Sequence, residues 1–193
     1  MIEFEQGEPA FLNFEIVSAY NLKAGVSLPL SAWEKIVFDN EFRKAKERAL
    51  YLLDYRDYSY IELYKKLEKN YSEEICDAVM DKMVELGTIN DKRYAQGLAR
   101  TYMEVRKYGY YKAFQMMRQK GLTKAVIDEA LAEYEEGTYE RLYELVERKY
   151  LRYLSDEKGG NKVKNALVRA GYSYDVIKEV LRDIEEEYES DDE

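Results

Sequence analysis

Three stretches of this chain superpose without a gap at spacings of 51 and 50 residues, and this periodicity constrains the fold more than any other feature. The anchor column is Asn70, Gly121 and Gly171, followed by Tyr71, Leu122, Tyr172 and then by Ser72, Thr123, Ser173. Further on come Ile75, Val126, Val176 with Cys76, Ile127, Ile177, and the pattern closes on Val79, Ala130, Val180 and Met80, Leu131, Leu181. Each column has a physical reading. Asn or Gly can end a helix in the left-handed cap conformation. The apolar residue after it packs back or staples the next helix. Ser or Thr caps that helix, and the paired apolar columns form its buried stripe.

Each repeat has room for three helices. In the first they are expected over Asn40–Tyr55, from Ser59, where Ser59-Tyr60-Ile61-Glu62 is a capping box, and over Ser72–Leu86, stopping at Gly87. In the second they start near Asn90, with Tyr94, Ala95, Leu98, Tyr102 and Val105 on one face, and continue over Tyr110–Lys120 and Thr123–Glu136. In the third they cover Thr138–Leu154, Asn161–Ala170 and Ser173–Tyr188. The two prolines, Pro9 and Pro29, precede all of them. Residues 1–39 differ. Gln6-Gly7-Glu8-Pro9 reads as a turn between Ile2/Phe4 and Ala10–Leu12, giving a small β-hairpin followed by a short helix to Tyr20. Ser31-Ala32-Trp33-Glu34 is a second capping box, with Trp33 the expected anchor between this segment and the first repeat. The resulting organisation is an N-terminal extension (1–39), three helical repeats (40–88, 89–137, 138–188) and an acidic tail (189–193).

Composition then narrows the chemistry. The chain has 193 residues, no histidine and one cysteine, which removes Ser-His-Asp and Cys-His catalysis, His-ligated metals and a disulfide framework. Its glycines form neither G-x-G-x-x-G nor a Walker loop. Cys76 falls in an apolar column and reads as a core thiol, and pairs such as Glu73/Asp77 read as solvated helix charge. No catalytic residue, cofactor or metal is expected. The N-terminus lacks a basic and apolar leader, and no apolar run approaches membrane length, so a cytoplasmic protein without membrane contact is expected.

The net charge of −9 is unevenly spread. The last nine residues hold seven acids, whereas residues 92–127 hold nine bases and one acid, Glu104. Arg93, Arg100 and Lys107 recur every seven residues, which places them on one face of a continuous helix, and Arg106, Lys112, Arg118 and Lys120 follow around the Tyr108–Tyr111 turn. Arginines interleaved with tyrosines suit an acidic protein groove or phosphates. These seven cations are the candidate partner-binding residues. The blander reading is that a helical protein needs a charged exterior somewhere. The acidic tail reads as a solvated end, its alternative being to compete with an anionic partner for the basic face.

Asn90-Asp91-Lys92-Arg93-Tyr94-Ala95, with Gly109, Lys120-Gly121 and Ala130-Leu131, resembles the central motif of the RecX family, bacterial regulators of the RecA recombinase. Ala49-Leu50, Leu53, Arg56, Ser59, Glu62-Leu63 and Leu67 look like that family's first repeat, and Gly171-Tyr172-Ser173 with Ile177 and Val180-Leu181 like its third. The similarity covers about residues 40–188, extending more weakly to Gly7–Phe11 and Leu22–Gly25. The resemblance implies an all-α fold of three tandem three-helix repeats bent into an elongated crescent. It implies a non-enzymatic modulator that docks in the groove of the RecA–single-stranded DNA filament and modulates, usually inhibits, filament extension, ATPase and strand exchange; a monomer is expected. Many members are basic and this chain is not, which weighs against direct contact with single-stranded DNA more than against RecA. Two readings of another class stay open: an autonomous nucleic-acid-binding helical module, and a scaffold for another acidic protein.

Overall fold

A computed structural model of the chain describes residues 9–154 and 157–191. The described elements are helical: α1 (Phe14–Ala19), α2 (Leu30–Tyr55), α3 (Tyr60–Leu67), α4 (Glu73–Glu85), α5 (Asp91–Arg100), α6 (Tyr110–Gln119), α7 (Lys124–Leu131), α8 (Thr138–Lys149), α9 (Glu157–Arg169) and α10 (Tyr174–Asp191). They fall into two compact units, one ending at Ile89 and the other beginning at Asn90. The first repeat lies in the former, the second and third in the latter. The first strand and turn of the expected hairpin, residues 2–8, lie outside the described residues, as do the side chains of the acidic tail 189–193.

The repeat columns do the work their chemistry implies. Ser72, Thr123 and Ser173 each cap a helix, their hydroxyls accepting from the N–H groups of Ile75, Val126 and Val176 at 3.4 Å. Cys76, Ile127 and Ile177 are buried, as are Val79, Ala130, Val180 and the column beginning at Met80. Gly121 and Gly171 adopt the left-handed conformation, with φ of +83° and +92°. Asn70 departs from this reading, because positive φ among the described non-glycine residues is confined to Asn21 and Lys107. Helix α3 already ends at Leu67, and the Asn70 N–H turns back onto the Leu67 carbonyl at 3.0 Å, so no left-handed cap is needed.

In the first unit, α2 is one continuous 26-residue helix, where two were expected. It opens at Leu30 after Pro29, whose ring needs no N–H partner, so Ser31 lies inside the helix and its capping box does not form. The Ser59 box does form: Ser59 Oγ accepts from the Glu62 N–H at 3.1 Å, and Glu62 Oε2 accepts from the Ser59 N–H at 3.3 Å. Small residues Ala45 and Ala49, one turn apart on α2, join Leu63, Leu67, Val79, Met80 and Met83 in the core, with α2 packed chiefly on α4. The N-terminal segment is held by Asn40, a buried amide whose Oδ1 accepts from the Asn13 N–H at 2.8 Å and whose Nδ2 donates to the Phe11 carbonyl at 3.4 Å. Tyr20 donates to Asp39 beside it.

The second unit has two cores. One gathers Ala95, Ala99, Tyr102, Met103, Met117, Leu122 and Leu131 from α5–α7, and the other Leu142, Val146, Val163, Leu167, Tyr172, Val180 and Ile184 from α8–α10. Helix α5 packs on α7, and α8 on α10. Helix α9 starts at Glu157 and so runs through Gly159 and Gly160, ahead of the expected Asn161. Val163 and Leu167, one turn apart and both buried, pin it to the core, and that packing outweighs the poor propensity of the two glycines. The adjacent ends tighten: α7 and α8 stop earlier than expected and hand over to 3-10 turns at Ala132–Tyr134 and Leu151–Tyr153.

Candidate functional site

The basic segment of the second repeat begins at a well-made helix start. Asn90 is the N-cap of α5, its Oδ1 accepting from the Arg93 N–H at 3.0 Å, and Asp91 occupies the first turn. Arg93 and Arg100 are exposed on this helix. Arg100 Nε lies 3.4 Å from Glu104, which also accepts from the Tyr134 hydroxyl at 2.9 Å.

Beyond Arg100 the helix changes type. Residues Thr101–Val105 form a π-turn, and the Arg106 N–H reaches the Thr101 carbonyl, five residues back, at 3.0 Å. A π-turn takes up an extra residue per loop and rotates the side chains after it. Tyr102 and Met103 therefore both enter the core, while Val105, expected there, is 76% exposed. Lys107 then leaves the helix, with φ of +53°. The single face expected for Arg93, Arg100 and Lys107 is thus not formed: the first two share α5, and Lys107 belongs to the turn that follows.

That turn organises a second group. The Lys112 ammonium sits 4.1 Å from the centre of the Tyr108 ring. The Arg106 guanidinium, with the charge of Lys112, holds the Tyr108 phenol below its ordinary pKa against the opposing effect of burial. At the other end of α6, Arg118 donates to the Leu122 carbonyl at 2.6 Å and so closes the helix terminus, with Lys120 as its C-cap residue. The seven cations therefore fall into three places: an exposed pair on α5, a tyrosine-centred group at residues 106–112, and the end of α6. Tyr108 was missed as the organiser of the middle group, although it lies among the basic residues of the segment.

The middle group abuts the third repeat. The Gly109 N–H donates to the Ala170 carbonyl at 2.8 Å, the Tyr111 N–H to the Gly171 carbonyl at 3.1 Å, and the buried Tyr172 hydroxyl to the Lys107 carbonyl at 3.0 Å. The two backbones touch: a Cβ built on Gly109 would lie 2.3 Å from the Gly171 carbonyl oxygen, and one on Gly171 would lie 2.3 Å from the Lys112 nitrogen. Among the described residues no group of His, Cys, Asp and Glu side chains could hold a metal ion, and no helix is long and apolar enough to cross a membrane.

Family models for the first, second and third three-helix domains of RecX match residues 45–83, 90–131 and 135–181, in that order. The chain belongs to the RecX family. It is 31% identical over 170 residues to the regulatory protein RecX of Clostridioides difficile, covering 86% of this chain and 80% of that one. With the RecX of a Geobacillus strain it shares 28% identity over 198 residues, covering 97% and 73%. The crystal structure of RecX from Lactobacillus salivarius superposes with a TM-score of 0.70 at 27% identity, over 76% of this chain and 98% of the other. Membership makes this chain one of a family of regulatory proteins.

Proposed function

We propose that this chain is a cytoplasmic, non-enzymatic regulator of the RecA recombinase, acting in DNA recombination, repair and the SOS response. It docks in the groove of the RecA–single-stranded DNA filament as a monomer and restrains filament extension, and with it ATP hydrolysis and strand exchange. The observation that carries this reading is the succession of three RecX domains in family order. The exposed cations of α5 and the Tyr108 group supply the charge that meets an acidic protein groove, and electrostatic complementarity of this kind sets orientation and encounter rate. Tandem repeats suit such a partner, because successive units offer contacts to successive subunits.

The test is to add the protein to RecA on single-stranded DNA and follow ATP hydrolysis and filament length. Both are expected to fall. The Arg93→Glu, Arg100→Glu double variant is expected to lose most of that effect with an unchanged thermal melt, since both side chains are exposed. No change in hydrolysis or length on adding the wild-type protein would overturn the proposal.

A further inference from the structure

A second basic region lies in the third repeat, in a stretch whose net acidity conceals it. Between the 3-10 turn Leu151–Tyr153 and the first half of α9 is a cleft of about 570 Å³, lined by Lys149, Arg152, Lys158, Lys162, Tyr150 and Tyr153 over an apolar floor that includes Val163. Among the residues whose side chains are described, no carboxylate lines it. Elsewhere the chain neutralises many of its cations: Arg43 with Glu15 and Glu47, Lys82 with Glu85, Lys92 with Glu129, Arg182 with Asp183. None of the four cleft cations forms an ion pair with a carboxylate whose side chain is described. Four like charges converging on one concavity of an acidic chain raise its potential and favour an anion there.

The aromatic component narrows the ligand. Arg152 stands over the Tyr153 ring at 4.7 Å and donates to its hydroxyl at 2.7 Å, while Lys149 stands 5.2 Å from the centre of the Tyr150 ring. Tyr153 remains 47% exposed. A cation-backed, half-open tyrosine is a surface on which a nucleobase stacks, and the volume suits a ligand of nucleotide size, well beyond an inorganic anion. We propose that this cleft binds a phosphorylated nucleoside, its phosphates held by Arg152, Lys158 and Lys162 and its base against Tyr153. The ligand is either a free nucleotide or one unit of a single strand. The inference stands apart from the RecA reading, which uses the second repeat.

Fluorescence anisotropy on the full chain tests it, with a fluorescent nucleoside diphosphate and a labelled oligothymidylate as probes at low salt. At least one probe is expected to bind, with affinity falling as salt rises. Arg152→Glu with Lys162→Glu should weaken it by about tenfold or more, Tyr153→Ala should weaken it about tenfold, and Tyr153→Phe should retain it. Arg93→Glu with Arg100→Glu should leave it unchanged. Binding of the diphosphate, competed by unlabelled nucleotide, identifies a free-nucleotide site, whereas binding of the oligothymidylate alone identifies a strand site. Thermal melts accompany each variant, and Lys158→Gln with Lys162→Gln replaces the double reversal if that protein melts early. The proposal is overturned if neither probe binds, if the third-repeat variants bind as the wild type does, or if polyglutamate displaces the probe as well as the nucleotides do.

Discussion

At the level of single residues, the start of α5 separates two roles that adjacent side chains could share. Asn90 accepts a hydrogen bond from a first-turn N–H that has no partner within the helix, whereas Asp91 places a negative charge at the positive end of the helix. Asn90→Ala should therefore cost about 1 kcal/mol, and Asp91→Ala about 0.5 kcal/mol. Urea denaturation of both variants checks the order, and salt should shrink only the second difference. Either residue could have been the cap on sequence alone, since both types are good N-caps. The choice is made by backbone geometry, because Asn90 has the extended φ and ψ of a residue just outside a helix. Lys107 makes the same point: its left-handed backbone is invisible in a composition that reads as ordinary helix surface.

At the level of elements, two classes of glycine should respond to alanine in opposite directions. Gly109 and Gly171 sit where two repeats meet backbone to backbone, and an added Cβ would overlap main-chain atoms that cannot rotate away. Gly109→Ala and Gly171→Ala should each destabilise by about 3 kcal/mol or more. Gly97 lies within α5 with nothing near its missing Cβ, so Gly97→Ala should stabilise by about 0.5–1 kcal/mol. Thermal melts of the three variants distinguish these signs. The helices themselves were largely legible in the sequence, because cap hydroxyls and paired apolar columns act locally and each repeat states them again. What was not legible depended on distant partners. The fusion of two expected helices into α2 and the passage of α9 through a Gly-Gly pair are settled by tertiary packing. The π-turn rotated the cations after Arg100, and the seven-residue spacing assumed an unbroken helix. The cleft of the third repeat is not legible as a basic run, because its cations are interspersed in the sequence with acids such as Glu144, Glu147, Asp156 and Glu157.

At the level of the whole molecule, the twenty tyrosines have a use beyond filling space. Several lay their rings at the edge of a core and donate their hydroxyls to a carboxylate: Tyr110 to Asp128 and Tyr139 to Asp183, both at 2.8 Å, and Tyr143 to Glu187. Tyr139 and Tyr143 are pushed up to about 12 mainly by those hydrogen bonds, Tyr110 and Tyr134 to about 12 by burial and then by theirs, and Tyr172 to about 12 by burial. An unfolded tyrosine titrates near 10. The native state thus holds protons that the unfolded state releases, so this contribution is intact below about pH 10 and drains away as pH rises toward 12. The tyrosinate absorbance of Tyr110, Tyr134, Tyr139, Tyr143 and Tyr172 should lag in the native protein and rise together with loss of helical circular dichroism, whereas that of Tyr108 should lead. A native titration in which none of the tyrosinate absorbance is delayed until the helical signal is lost would contradict this.

The contact between Gly109 and Ala170 also has a consequence in time. A hydrogen bond between side chains at a repeat boundary can break while each repeat stays folded. Here the bond belongs to the main chains, and its donor is the N-cap residue of α6 while its acceptor closes α9. That amide can exchange with solvent deuterium only when the second and third repeats part or one of them opens. Its exchange rate is therefore a clock for both, and it should slow or quicken in step with core amides of α7 and of α10 when either repeat is weakened by mutation. If the Gly109 amide exchanges freely while those core amides remain protected, the two repeats behave as separate folding units.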